Sequence, residues 1–377
     1  MSRSLKNTCV LTLSLLSTAA GAAFAQELAP GSGTWAAPAC TSVSGTAGVT
    51  FTTDEGATLT PTTRSLTGTS YTEGVAALDT PNTLLATVGS ALYRSTNAGC
   101  RWTLVSNLSR SSGNALITVT ASTNDRAYVW SLNGSPLFRV DGRTVTTLKS
   151  PVTSVMGVGA DPANRDHVRL VDSNAQLWES IDAGATWNTL GRGPIAGAFA
   201  YRAAFDPRNV DHIAVGTMVS GAFVTTDGGR TWIQATGTSS TGGNSNIFNL
   251  VISPVDGNVV WAEGIDLAEN ANNVPSEGRH VFRSLDGGLT YTPVVDQSAD
   301  VTLINGPTMA ANPTNANVLY FTFGTSFGGY GTDLYRFDSA TSLVTKTHNT
   351  YHGIDAFAFN PAVPSVMYLG LVQEQIQ

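Results

Sequence analysis

Short apolar segments separated by polar turns recur along the chain in an arrangement that is typical of β-hairpins. In the clearest copy, AFDPRNVDHIAVG at residues 204–216, an apolar run leads into a Pro- and Asn-containing turn, after which apolar and polar residues alternate. Alternation with a period of two predicts a strand with one buried face, and Pro, Asn and Asp favour tight turns. Further copies of varying strength occur at residues 77–88, 120–130, 159–171, 251–263, 310–322 and 358–370. Each copy predicts an antiparallel pair of strands, here called the inner hairpin.

A second repeated motif, TTDGGRTW at residues 225–232, predicts a tight turn between two further strands. In such a turn the Asp227 carboxylate can accept hydrogen bonds from nearby backbone N–H groups, and Gly229 can adopt a positive φ without a steric clash. Trp232 begins the next strand and supplies a large apolar surface for packing between sheets. The pattern recurs, in full or with substitutions, at residues 52–59, 95–102, 180–187 and 284–291, and eroded copies occur at 137–143 and 334–340.

The spacing of these turns predicts a repeat architecture. The aspartates or their equivalents occur at positions 54, 97, 141, 182, 227, 286 and 338, and most intervals are close to 45 residues. Four short strands per repeat of this length are typical of β-propeller blades. The sequence resembles the Asp-box (BNR repeat) β-propellers of the sialidase-like and xyloglucanase-like superfamily, over most of the chain after about residue 45. This resemblance implies architectural roles for the Asp-box residues Asp54, Asn97, Asp182, Asp227 and Asp286.

The order of the two motifs predicts how the ring of blades closes. The chain opens with an Asp-box turn at Asp54 and ends with an inner hairpin near Pro361, and it contains seven turns of each kind. The first outer hairpin and the last inner hairpin therefore each lack a partner, and pairing them completes the ring and removes the exposed sheet edges. We predict an all-β fold, a seven-bladed β-propeller over residues 46–377, with Asp-box turns between its two outer strands (C–D) and closure of the last blade by N-terminal strands.

The N-terminal residues 1–25 have the features of a secretory signal peptide. Arg3 and Lys6 precede an apolar run over residues 9–20, and AFA at 23–25 fits a cleavage site. The apolar run is too short to span a bilayer. Residues 26–45, rich in Ala, Gly, Pro and Ser, are expected to form a leader of uncertain course. We therefore expect a secreted or periplasmic protein without membrane insertion.

Charge and cysteine content narrow the possible partners and the compartment. The formal net charge is −7, and charged residues make up only 12% of the chain, which gives no electrostatic attraction for nucleic acid or anionic membranes. Cleavage after residue 25 would remove Cys9 and leave Cys40 and Cys100. Two cysteines in an exported chain suggest a disulfide bond, and two separate buried thiols are the alternative.

Candidate binding residues are those that break the repeat, because a polar residue recurring at one blade position is more often architectural. The four strands of a propeller blade are lettered A to D from the central channel outwards. The loops between strands B and C and the links between blades share one face, around the mouth of the channel. The B–C segments 263–280 and 323–333 and the link around 348–355 should rise on this face. The candidates are Tyr201, Arg202, Glu263, Asp266, Glu269, Arg279, His280, Tyr330, His352 and Asp355. His348 and His352 have a spacing of four residues but lie in a predicted loop, so no metal site is predicted.

Two functions fit this pattern. The first is a non-enzymatic binding or scaffold propeller that holds a protein, peptide or glycan on its loop-bearing face, as in small exported single propellers that the chain resembles. The alternative is a glycoside hydrolase that uses two carboxylates at the channel mouth, for which Glu263, Asp266 and Asp355 are candidates. A resemblance to sialidases implies six blades and an arginine triad, whereas seven blades and only Arg202 as an isolated inner-strand arginine are predicted here. We expect a binding protein that needs no cofactor, is a monomer and contacts no nucleic acid.

Overall fold

The computed structural model describes residues 34–373, apart from 67–68, 109–116, 133, 135–136, 192, 195–196, 198, 326–329 and 351. The regular structure of the described residues consists of strands and one five-residue helix. The strands form six four-stranded sheets and one three-stranded sheet, all antiparallel. The seven sheets are the blades of a propeller, which confirms the predicted fold class. The predicted signal peptide and residues 26–33 of the predicted leader lie outside the described residues.

The first strand among the described residues, β1 (Val49–Thr52), belongs to the last blade. Blades 1 to 3 each contain four consecutive strands, which we number from the central channel outwards as A to D. They are β2 (Gly74–Ala77), β3 (Leu84–Val88), β4 (Ala91–Ser95) and β5 (Thr103–Asn107); β6 (Ile117–Ala121), β7 (Arg126–Ser131), β8 (Leu137–Asp141) and β9 (Thr144–Leu148); and β10 (Val155–Ala160), β11 (Val168–Asp172), β12 (Leu177–Ser180) and β13 (Asn188–Leu190).

Blades 4 to 6 repeat this order. They are β14 (Ala200–Asp206), β15 (Asn209–Thr217), β16 (Ala222–Thr225) and β17 (Ile233–Gln234); β18 (Ser245–Ile252), β19 (Val260–Asp266), β20 (Arg279–Ser284) and β21 (Thr292–Asp296); and β22 (Met309–Ala311), β23 (Val318–Thr325), β24 (Gly331–Asp338) and β25 (Leu343–Asn349). The short helix α1 (Leu267–Ala271) lies in the B–C segment of blade 5.

Blade 7 joins the two ends of the chain. It consists of β26 (Gly353–Phe359), β27 (Met367–Val372) and β1, in which β27 lies between the other two strands. The register pairs Val49 with Gly370 and Thr52 with Met367. Outside β1, the N–H of Thr60 donates to the carbonyl oxygen of Phe51 at 2.9 Å, so the returning chain follows the strand only briefly. The predicted closure of the last blade by the N-terminal part of the chain is confirmed, although among the described residues one strand takes part where the prediction had an outer hairpin of two.

The hydrophobic core is divided among the interfaces between neighbouring blades. Seven clusters of buried apolar residues each occupy one such interface. Between blades 5 and 6, for example, the rings of Trp261 and Phe337 meet edge to face with centroids 5.9 Å apart. Because apolar packing lies between the blades, the centre of the ring is left as a channel that polar residues can line.

The turns that carry the TTDGGRTW motif and its copies, here called Asp-box turns after the sequence resemblance, have a common hydrogen-bond pattern on the face opposite the channel mouth. In the turn at 225–232, Asp227 accepts from the N–H of Thr231 at 2.9 Å and from its hydroxyl at 2.6 Å, while the N–H of Gly229 donates to the Thr225 hydroxyl at 2.9 Å. The hydrogen bonds from Thr231 lower the pKa of Asp227 to about 2. Equivalent bonds surround Asp54, Asp182 and Asp286. These carboxylates are therefore committed to their own turns.

Residues 34–47 run across the interface between blades 7 and 1, on the Asp-box face. The indole N–H of Trp35 donates to the carbonyl of Leu78 at 3.2 Å in blade 1, and the side-chain amide of Asn360 in blade 7 donates to the carbonyl of Ala36 at 2.7 Å. Cys40 and Cys100 are bonded, with Sγ atoms 2.10 Å apart and Cα atoms 5.8 Å apart. This segment thus connects the closing blade to the first complete blade.

Candidate functional site

A cavity of about 440 Å³ occupies the mouth end of the central channel. This volume lies within the range of roughly 300–1,000 Å³ that is usual for ligand pockets. Every blade contributes a residue at or near the start of its inner strand. These residues are Glu73, Thr118, Met156, Arg202, Asn249, Met309 and Asp355. The cavity is therefore lined by adjacent positions of the inner strands around the ring.

A β-bulge interrupts the inner strand in four of the blades. The pairing of β10 with β11 skips Met156, that of β14 with β15 skips Tyr201, that of β18 with β19 skips Phe248, and that of β26 with β27 skips Asp355. A bulge places an extra residue outside the regular alternation and redirects its side chain. Met156 and Asp355 line the cavity, whereas Tyr201 and Phe248 precede the cavity-lining residues Arg202 and Asn249. The bulges thus supply residues to the mouth of the channel.

Three charged side chains share the cavity, counted among the residues that the structure describes. Glu73 and Asp355 come from the neighbouring blades 1 and 7, and Arg202 comes from blade 4. Burial and the nearby Asp355 carboxylate raise the pKa of Glu73 to about 7, and Arg202 partly offsets this shift. Burial lowers the pKa of Arg202, and Glu73 opposes that shift. At neutral pH the described lining of the cavity therefore holds one guanidinium and two carboxyl groups, and the carboxyl group of Glu73 is near its midpoint of titration.

An exposed apolar surface lies beside the cavity, across blades 4 and 5. We call it the mouth patch, and it consists of Phe199, Tyr201, Met218, Val219 and Phe248. The Tyr201 ring contacts Phe199 and Phe248, with centroids 5.7 and 4.8 Å apart. Phe199, Met218 and Val219 are 45%, 46% and 40% exposed. Isolated exposed apolar residues are ordinary, but a contiguous group beside a cavity is typical of an interaction site.

Backbone hydrogen bonds hold the parts of the mouth patch together. The N–H of Met218 donates to the carbonyl of Phe199 at 2.9 Å. The N–H of Val219 donates to the Asn246 side chain at 2.8 Å, and its carbonyl accepts from the N–H of Ser245 at 3.2 Å. Val219 has a φ of 70°, an uncommon conformation for a β-branched residue. The B–C loop of blade 4 is thereby tied to blade 5, and its apolar side chains remain exposed.

The segment 263–280 uses most of its predicted candidates for internal contacts. Glu263 is completely buried in β19, accepts from the N–H of Gly306 at 3.1 Å, and has its pKa raised to about 8 by burial. Asp266 is also buried and caps α1 by accepting from the N–H of Ala268 at 2.9 Å and from the hydroxyl of Ser240 at 2.7 Å. Neither carboxylate lines the cavity. Of the three carboxylates considered for glycoside hydrolysis, the cavity contains only Asp355.

The other candidates of this segment form local pairs at its base. His280 is 5% exposed, and its ring nitrogens lie 2.9 Å from a Glu269 oxygen and 2.7 Å from an Asp296 oxygen. The guanidinium of Arg279 donates to the side chain of Asn305 and lies 3.6 Å from a Glu277 oxygen. These contacts attach the segment to the edge of blade 5, so they stabilise its position.

Tyr330 directly precedes β24 of blade 6, and His352 directly precedes β26 of blade 7. The Tyr330 hydroxyl donates to Asp333 at 3.0 Å, and its ring meets that of His348 with centroids 5.1 Å apart. Burial lowers the pKa of His352, which with His348 lines a second cavity of about 330 Å³ beside β1. This cavity is separate from the central one, and the described residues of its lining include no carboxylate.

Among the described residues, no group of three or more His, Cys, Asp or Glu side chains is arranged to hold a metal ion. In the same part of the chain, none of the helices has both the length and the apolar character needed to cross a membrane.

The structure brings together a subset of the residues that the sequence singled out. Arg202 and Asp355 meet in the central cavity, and Tyr201 lies in the mouth patch, whereas the remaining seven candidates lie elsewhere. Sequence reasoning missed Glu73, Phe199 and Phe248. All three lie at or near the start of an inner strand, so a search for charged and aromatic residues at that repeat position would have found them.

Comparisons with solved structures support the architecture. The chain is similar to YCF48 bound to D1 peptide, with a TM-score of 0.55 and 12% identity over 81% of this chain and 94% of that one. YCF48 from Cyanidioschyzon merolae gives a TM-score of 0.55 and 14% identity over 81% and 96% of the two chains. The GH74 xyloglucanase from Xanthomonas campestris gives a TM-score of 0.54 and 16% identity over 81% of this chain. The matched part is only 53% of the enzyme. At these identities the likeness establishes the fold alone.

Sequence comparison gives a much nearer relative. No known protein family profile matches the chain. The dispase autolysis-inducing protein of Streptomyces mobaraensis, however, is 54% identical over 361 residues, which cover 95% of each chain. Identity at this level over nearly the full length implies common ancestry and the same fold. The chain therefore belongs to the family of the dispase autolysis-inducing protein.

Proposed function

We propose that this protein is a non-enzymatic binding propeller that docks a protein partner on its mouth patch, and that the partner is a protease whose autolysis it promotes. The partner class is supported by 54% identity to a protein named for inducing the autolysis of dispase. Autolysis is self-cleavage, so the partner itself performs the chemistry. The propeller then needs only a binding surface.

The observation that carries the proposal is the mouth patch. The Tyr201 ring contacts those of Phe199 and Phe248, and Met218 and Val219 are exposed beside them. Aromatic residues account for much of the affinity of protein interfaces. The hydrogen bonds at Met218 and Val219 fix the backbone of the patch before binding. Less conformational entropy is then lost on association, which favours affinity.

The test compares two pairs of substitutions on opposite faces. One variant carries Phe199→Ser with Tyr201→Ser in the mouth patch. Its matched control carries Ile181→Ser with Leu285→Ser, two apolar residues of the Asp-box face that are 72% and 64% exposed. We expect the mouth-patch variant to bind dispase at least about tenfold more weakly, since an interface hot spot contributes more than about 1–2 kcal/mol. The control should bind like the wild type.

Dispase autolysis is measured in parallel, as fragments released with time. The mouth-patch variant should promote it less than the wild type, and dispase whose own active site is blocked by an inhibitor should release no fragments. If the Asp-box variant lost affinity and the mouth-patch variant did not, the docking surface would be wrong. If blocked dispase were still cleaved, the propeller itself would be an enzyme.

We also propose that the protein is exported and acts as a monomer. Residues 1–25 have the features of a signal peptide, and the bond between Cys40 and Cys100 fits an oxidising compartment. Sequencing the N-terminus of the secreted protein should place the first residue just after Ala25. An uncleaved protein retained with the cells would contradict export, and a mass of two chains by light scattering would contradict a monomer.

A further inference from the structure

The central cavity presents opposite charges to a common space. Glu73 and Asp355 belong to the adjoining blades 1 and 7, whereas Arg202 belongs to blade 4. The bulge after Ile354 redirects Asp355, and the bulge after Ala200 alters the register just before Arg202. The arrangement therefore has a wall with two carboxyl groups and a wall with a guanidinium.

Two of these charges, Glu73 and Arg202, have no direct partner. Among the described residues, the side chains of Glu73 and Arg202 make no hydrogen bond or ion pair, although each influences the pKa of the other. Elsewhere in the molecule, buried arginines have carboxylate partners, as Arg169 has in Glu179 at 2.9 Å. A desolvated charge without a partner is costly unless another group or water compensates it. The cavity is thus built to accept polar groups from outside.

The ligand that complements this cavity carries charges of both signs. An ammonium group can approach Glu73 and Asp355, and a carboxylate can receive paired hydrogen bonds from the Arg202 guanidinium. Met156, Met309 and Ile354 add apolar lining to the same cavity. We propose that the central cavity binds a zwitterion with an ammonium and a carboxylate group, as in a free amino acid or a short peptide. This site is separate from the mouth patch and does not depend on the protease partner.

The ligand chemistry can be tested by calorimetric titration of the full-length mature protein. The probes are the dipeptide Ala-Ala, its N-acetylated form without the ammonium group, its C-terminal amide without the carboxylate, and free alanine. Ala-Ala should bind at concentrations up to about 10 mM, and each blocked form should bind about tenfold more weakly because one charged hydrogen-bonding group is lost. Alanine binding as tightly as Ala-Ala would identify an amino acid as the ligand, and weaker binding a peptide.

Two cavity variants test which residue binds the carboxylate of the ligand and which binds its ammonium group. In Arg202→Met, the free acid and the amide should bind equally; in Asp355→Asn, the advantage of Ala-Ala over its acetylated form should shrink. Arg230→Met is the matched control, since Arg230 contacts the Asp227 carbonyl on the opposite face. Thermal melting verifies folding of every variant. The proposal would be overturned if neither Ala-Ala nor alanine bound. It would also be overturned if both cavity variants still bound Ala-Ala more tightly than its blocked forms, as the wild type does.

Discussion

Tyr201 and Phe248 occupy the same position in two neighbouring blades, and their rings are in contact with centroids 4.8 Å apart. Each is the residue that a β-bulge leaves unpaired near the start of an inner strand. Because a bulge changes the direction of its extra side chain, the two rings meet at the channel mouth. The two residues are equivalent because the blades repeat, and their rings touch because both inner strands have a bulge at this position.

We predict that Tyr201→Ala and Phe248→Ala each weaken binding of the protease partner about tenfold, by about 1–2 kcal/mol. Because each ring supports the other, their effects should not add, and the coupling should be about 0.5–1.5 kcal/mol. A double-mutant cycle on the dissociation constant measures this coupling. Ile181→Ala, on the opposite face, is the control and should leave the constant unchanged. Additive losses would indicate that the partner contacts the two rings independently.

The fold was predictable because its signals are local and repeated. Each Asp-box turn needs a carboxylate or amide at one position and a residue such as Gly229, with a φ of 83°, at another. The interval between the turns predicted the blades, and the order of the two motifs predicted that β1 pairs with β27. Both predictions need only turn chemistry and the rule that sheet edges are covered.

The candidate site was less predictable, because it depends on irregular features. A bulge has no clear signature in an alternating pattern, so the sequence could not indicate that Asp355 would turn into the channel. Glu263 illustrates a second difficulty. It begins a long polar segment and was predicted to rise with it, but it belongs to β19 and is buried. Deciding which side of such a strand boundary a residue lies on requires the strand register.

Glu263 predicts a stability that depends on pH. Its pKa of about 8 in the folded protein is above its ordinary value of 4.5, so the folded state retains a proton that the unfolded state releases. Stability is therefore lost as pH rises from about 4.5 to 8. Glu263→Gln removes this proton release and should stabilise the protein on the order of 3 kcal/mol at pH 7, with no gain near pH 4. Urea denaturation at the two pH values measures the difference.

Glu277→Gln is the matched control for this prediction. Glu277 lies in the same segment, and its side chain is 61% exposed, so its replacement should change stability little at either pH. A gain in Glu263→Gln that was equal at pH 4 and pH 7 would mean that the variant acts through packing and not through ionisation.

The Asp-box turns predict the opposite dependence on pH. Asp182 and Asp227 each have a pKa lowered to about 2, mainly by the hydroxyls of Thr186 and Thr231. A carboxyl group of lowered pKa stabilises the fold above its ordinary value of 3.8, and this contribution is lost as pH falls through 2. Asp227→Ala should therefore lower the urea midpoint at pH 6, and the difference from the wild type should narrow between pH 4 and pH 2.

Asp300→Ala serves as the control for the Asp-box prediction, since Asp300 is exposed and lies outside these turns. Its urea midpoint should follow that of the wild type at every pH. If Asp227→Ala and the wild type differed equally at pH 6 and pH 2, the loss would arise from the uncharged part of the side chain.

The bond between Cys40 and Cys100 predicts how the ring is kept closed. The two residues are 60 positions apart, and a crosslink over that length stabilises by about 4 kcal/mol in the chain-entropy treatment. The double variant Cys40→Ser/Cys100→Ser should be destabilised by this amount in urea. The wild type under reducing conditions should lose the same amount, whereas the double variant should be insensitive to the reductant.

The loss should be concentrated where residues 34–47 connect blades 7 and 1. Without the crosslink, this segment is held by contacts such as those of Trp35 with Leu78 and of Ala36 with Asn360. β1 depends on the segment because it follows directly, and it pairs with β27 at the outer side of the three-stranded blade. Amide hydrogens of β1 should therefore exchange faster in the double variant, while those of β19 in blade 5 keep their protection. Equal acceleration in both strands would show that the bond stabilises the whole ring uniformly and is not specific to its closure.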